Sequence, residues 1–153
     1  MVFKSEAELE KFILLKCKSA ITNAENKIYK VIDDNLNLFY GEYKPAEYIR
    51  TQQLLHSLVR TGIKKTGNGY VAEVYFDADR LNYPNPALGQ SGQYHSADMS
   101  SEEILDMTMQ GGHGGSHGGW KDGTHIWDDS MYWLGDIMKL LLVELRAQGI
   151  PIK

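Results

Sequence analysis

The sequence predicts an α+β fold: a long N-terminal helix and a C-terminal helix packed on a small antiparallel β-sheet, a hairpin, with long connecting loops. Three observations predict it. Leu9, Ile13, Cys17, Ala20, Ala24, Ile28 and Val31 recur at steps of three and four, the period of one helix face. Residues 58–64 and 70–76, rich in strand formers, flank Thr66-Gly67-Asn68-Gly69, whose residues suit a tight turn. Trp133, Leu134, Ile137, Met138, Leu141, Leu142 and Leu145 form a broad apolar face near the end of the chain.

The first helix is predicted from about residue 6 to about residue 35. Ser5-Glu6-Ala7-Glu8 reads as a capping box, in which the Ser5 hydroxyl accepts an amide and Glu8 reaches back. Lys11, Lys18, Glu25 and Lys30 fall largely outside the apolar stripe. A helix of roughly 45 Å exceeds what a small domain covers, so part of its stripe is expected to meet another subunit. Residues 35–45, with Gly41 and Pro45, break the pattern.

Next comes Tyr48-Ile49-Arg50-Thr51-Gln52-Gln53-Leu54-Leu55-His56-Ser57-Leu58. Thr51 is placed to cap a short helical turn through Leu55, leaving Leu54 and Leu58 on one side. Arg50 offers a planar fork of donors to a carboxylate or to carbonyls at a helix end. These residues, with Tyr48 and Ser57, are expected to organise the fold; no nucleophile or acid–base pair is implied. The hairpin follows. Two strands alone are marginal in water, so helices must cover one face, and the open edges invite pairing with another chain.

Residues 77–97, with Tyr83-Pro84-Asn85-Pro86, read as an irregular loop. Ser100-Ser101-Glu102-Glu103 starts a short helix carrying Ile104, Leu105, Met107 and Met109, which Gly111 and Gly112 should end. The terminal helix is predicted to begin near Asp128, with Trp127 just outside it. Asp128 and Asp129 complement the helix dipole there, and Gly149 and Pro151 end the helix.

Composition narrows function. A chain of 153 residues with 42% hydrophobic and 24% charged residues suits one domain over 1–153 with its own core, not wholesale disorder. No run of about 18 apolar residues occurs, so no membrane span is expected, and no basic-then-apolar leader is expected at the N-terminus. The lone Cys17 excludes an intramolecular disulfide framework and suits a reducing cytoplasm. A net charge of −4 without a basic block argues against tight nucleic-acid binding. It would let DNA pass without sticking, and it is equally ordinary for a soluble protein.

The Tyr-x-Arg-Thr-x-x-Leu-x-x-Ser run, the long helix before it, the Val74-Tyr75-Phe76-Asp77 strand and the terminal Leu145-Arg146-Ala147-Gln148-Gly149-Ile150-Pro151-Ile152 together resemble a phage family. That family is the gene-product-ten-like head–tail joining, or tail-completion, proteins of long-tailed, siphovirus-type bacteriophages. The resemblance covers most of the chain. It implies a structural protein of the neck or proximal tail, assembled in the host bacterial cytoplasm as a homo-oligomeric ring. Its expected partners are further copies of itself, the head connector or stopper, and tail terminator or tail tube proteins. A tail terminator capping the tube is the nearest alternative. A soluble bacterial interaction module of prophage origin is a third.

Residues 111–126 form a glycine–histidine segment holding His113, His117 and His125 beside Asp122. Imidazole and carboxylate are transition-metal ligands, so a metal-dependent hydrolase is the enzymatic alternative. Among glycines, however, the spacing fixes no ligand geometry, and ordering such a loop opposes binding by about 1–2 kcal/mol per residue. The segment is expected instead to order against neighbouring subunits, with Trp120, Trp127, Tyr132 and Trp133 as interface anchors. The sequence shows no nucleophile elbow, no phosphate-binding glycine loop and no Cys-x-x-Cys, so neither an enzyme nor a cofactor is expected.

Overall fold

A single helix, α1, runs over Glu6–Glu42, 37 residues, or about 55 Å at about 1.5 Å per residue. The computed structural model describes residues 2–42, 52–81, 100–109 and 126–152. After α1 come α2 (Gln53–Ser57), the strands β1 (Leu58–Arg60), β2 (Lys64–Thr66), β3 (Gly69–Val71) and β4 (Val74–Phe76), and a 3-10 turn over Ala78–Arg80. The helices α3 (Ser101–Met109), α4 (Ile126–Leu134) and α5 (Ile137–Ala147) follow, giving the α+β class.

The start of α1 is the expected one. Ser5 Oγ accepts from the Glu8 amide at 3.2 Å, while the Glu8 carboxylate reaches one residue further back, to the Lys4 amide at 2.8 Å. Its end lies beyond residue 35. Leu36 and Phe39 are buried and continue the spacing set by Ile32, so the apolar face persists through the asparagines. Those asparagines are satisfied inside the helix pattern: Asn37 donates back to the Asp33 carbonyl and Asn35 donates to Ser130 Oγ. Side-chain amides that usually favour turns are here paired without leaving the helix.

Thr51 is not the cap of the short helix. Gln52 occupies that position, in a left-handed conformation at φ 57° with no side-chain cap bond, and α2 continues through Ser57. Tyr48, Arg50 and Thr51 lie outside the described residues.

The strand pattern is a hairpin with a step in it. β2 pairs antiparallel with β3 in the register Lys64↔Val71, Lys65↔Tyr70, Thr66↔Gly69. Gly67 takes the first central turn position with φ 54°, as a two-residue type II′ turn requires. β1 pairs with β4. Each expected strand is therefore split. Between the Thr61–Glu73 bond (3.0 Å) and the Lys64↔Val71 pair, Gly62 and Ile63 stand opposite Ala72 alone. This is a β-bulge, with Gly62 at φ 66° supplying the left-handed residue. Its half-buried amide has left the strand ladder; the Glu25 carboxylate accepts it at 2.8 Å.

The terminal helix is likewise two helices. Gly135, at φ 63°, ends α4 with its amide on the Met131 carbonyl at 2.9 Å. Asp136 then caps α5, its Oδ1 accepting from Met138 at 2.9 Å and Lys139 at 3.3 Å. Trp127 consequently lies inside α4, not before a single long helix. The α5 C-terminus closes as expected: the Gly149 amide meets the Arg146 carbonyl at 2.8 Å and the Ile150 amide meets the Leu145 carbonyl at 3.1 Å. That bond pair is a Schellman motif. The α3 start carries a full capping box, Glu103 amide to Ser100 Oγ and Ser100 amide to the Glu103 carboxylate.

Two compact units share the chain: Met1–Val31 with Arg60–Val74 and Met131–Lys153, and Ile32–Val59 with Tyr75–Ser130. In the second, Ile32, Leu36, Phe39, Leu54, Leu58, Leu81 and Ile126 are the buried apolar set. Ser57 and Ser130 are fully buried there, yet each hydroxyl donates to a carbonyl, of Leu54 at 2.8 Å and Ile126 at 2.6 Å. In the first unit, Ala20 and Ala24 are the buried apolar residues of α1, which lets neighbouring backbone come close.

Candidate assembly surface

The surface that stands out is apolar and belongs to α4 and α5. Tyr132, Trp133 and Met138 are 81%, 71% and 63% exposed, and Ile137 and Val143 are exposed beside them in sequence. Scattered exposed apolar residues are ordinary, but two large aromatics and three aliphatic side chains within twelve positions are not. The Tyr132 and Trp133 rings meet edge to face, with centroids 5.8 Å apart, so the two aromatics brace each other instead of entering a core. Trp127 differs from them. It packs edge to face on Phe76 at 6.5 Å, though it is still 41% exposed.

α1 has a second stretch with exposed apolar side chains. Leu9, Ile13 and Leu15 are exposed, and the first buried residue of the helix is Ala20. Nearly four turns therefore precede the first fully buried residue, although the apolar period begins at Leu9. Such a segment gains little from its own chain, since helices in proteins are stabilised chiefly by packing an apolar face.

Polar groups hold α5 to α1. Glu144 is buried, and Lys27 Nζ and Asn23 Nδ2 donate to its two carboxylate oxygens, the latter at 3.1 Å. The Lys27 hydrogen bond holds the Glu144 carboxyl below its ordinary value of 4.5; burial opposes this, while the Asn23 bond and the Lys27 charge add to it. Glu144 is the buried residue of α5. Its leucines 140, 141, 142 and 145 are half-buried. On the same unit, Arg60 lies over the Tyr29 ring at 4.9 Å and donates to Asn26.

Of the residues singled out from sequence, Leu54 and Ser57 are buried in the second unit. Tyr132 and Trp133 are brought together on the surface. Trp120, His113, His117 and His125 fall outside the described residues, as does the glycine–histidine segment up to residue 125. Among the described residues no group of three or more His, Cys, Asp or Glu could hold a metal ion. No helix of the described residues is long and apolar enough to cross a membrane. Sequence reasoning missed Asn23, Lys27, Glu25 and Glu144. The signal was present for Glu144, a lone carboxylate within Leu140-Leu141-Leu142-Val143-Glu144-Leu145, and for Glu25 beside the apolar stripe.

In comparisons with known proteins, a family model described as YomN matches residues 5–146. No curated protein matches, and no solved structure does.

Proposed function

The chain belongs to the YomN family, and from that premise we propose that it is a structural component of a tailed-phage particle, joining head to tail or completing the tail. YomN is a Bacillus phage-derived protein name, so the family itself is phage-related. The finer assignment is carried by one observation: Tyr132, Trp133, Ile137, Met138 and Val143 are large apolar side chains, close in sequence, that this chain leaves in solvent. Monomeric proteins bury such groups; a component whose neighbours arrive during assembly keeps them for the interface. Leu9, Ile13 and Leu15, exposed in the first turns of α1, support the same reading. Copies meet head to tail and close by rotation into a ring, which the head connector seeds on one side and the tail completes on the other.

The net charge of −4 fits a ring that DNA passes through without sticking. No residue in this reading does chemistry; the work is shape and adhesion. Deleting the gene tests it. The expected result is DNA-filled heads and separate tails, or heads with absent or misshapen tails, in negative-stain images of the lysate. Normal infectious virions from the deletion would contradict a structural role. Tails of uncontrolled length on joined particles would identify a terminator instead.

A further inference from the structure

Three features of α5 belong together. Its one buried residue is charged: Glu144, bonded to Lys27 and Asn23 of α1. Its apolar residues are only half-buried or are exposed. It hangs from α4 by two residues, Gly135 in the left-handed region at φ 63° and Asp136, whose side chain caps the new helix. A helix whose apolar residues are at most half-buried gives up less on leaving its seat than a fully packed one, and an equivalent seat on a second copy restores what it gives up. What fits the vacated seat is α5 itself, from another copy.

We propose that α5 is an exchangeable arm: released at Gly135–Asp136, it docks on α1 of a second copy of this chain, where its Glu144 meets that copy's Lys27 and Asn23. The exchange creates no new contact chemistry. It remakes the same bonds between chains that the closed form makes within one, which is why domain swapping is a low-cost route to oligomers. A short hinge favours it, since straightening the hinge removes a left-handed turn. Passed from copy to copy, the arm builds a ring; passed back reciprocally, it builds a dimer. This supplies the contact between copies that the ring reading needs. Its test uses only purified protein, so it fails independently of any virion role.

The test is a charge reversal divided between chains. Lys27→Glu sets two carboxylates against each other within its own chain, and Glu144→Lys sets two ammonium groups together. Breaking a buried pair in this way destabilises each closed monomer. When the two variants are co-expressed, exchange pairs every arm with a seat of opposite charge. The expected result is a one-to-one complex by native mass spectrometry, with higher soluble yield than either variant alone. The double variant Lys27→Glu/Glu144→Lys repairs the pair inside one chain, and it should fold alone and stay apart from wild type. Independently, Gly135→Ala strains the left-handed turn that folds the arm back, and should raise the oligomeric fraction several-fold by light scattering. A double variant that folds, while the co-expressed single variants give no complex, would overturn the proposal. So would a folded Gly135→Ala protein whose oligomeric fraction equals that of wild type.

Discussion

Replacing Tyr132 and Trp133 together by serine is expected to leave the folded chain intact and remove it from particles. Both side chains are mostly in solvent, so their loss changes unfolding free energy by only about 0.5 kcal/mol each. At an interface the same rings are anchors, and truncating one such anchor costs about 2 kcal/mol or more. Two losses of that size weaken association by on the order of 10²–10³-fold. The measurement is complementation of a gene deletion, with infectious titre read beside the thermal melt of the purified variant. Wild-type titre from the double variant would move the interface away from α4. A collapsed melt would show that the two rings support the fold instead.

The second large effect lies in the core. Leu36 is fully buried on α1, whereas Leu38, two residues along the same helix, is 60% exposed. Leu36→Ala is expected to destabilise by about 2–5 kcal/mol, because the cavity it leaves collapses only partly. Leu38→Ala should stay within about 0.5 kcal/mol. Urea unfolding of the two variants gives the comparison directly. Equal effects would mean that the turns of α1 beyond residue 35 are not packed as described here.

Those turns also show where sequence reading ends. The apolar stripe of α1, the capping boxes at Ser5 and Ser100, and the Gly149 stop are local patterns, and local chemistry sufficed to place them. The extension of α1 through Asn35 and Asn37 was not legible, because it depends on Ser130, nearly a hundred residues away, accepting the Asn35 amide at 2.9 Å. The hairpin was legible from its turn residues; its bulge was not, since Gly62 needs the distant Glu25 carboxylate to hold its amide. Gly135 was a readable break within the terminal helix, but the apolar period on both sides masked it. The candidate surface was half legible. Tyr132 and Trp133 stand out by type, and Glu144 by its apolar neighbours, whereas nothing in sequence pairs Glu144 with Lys27, 117 residues away.

The central claim is a place in the particle. An affinity label on this chain, imaged by negative stain on virions purified from a complemented deletion, tests it most directly. The expected label is confined to the junction between head and tail, as a single cluster on each particle. Label distributed along the tail or over the capsid, or intact virions carrying none, would contradict it.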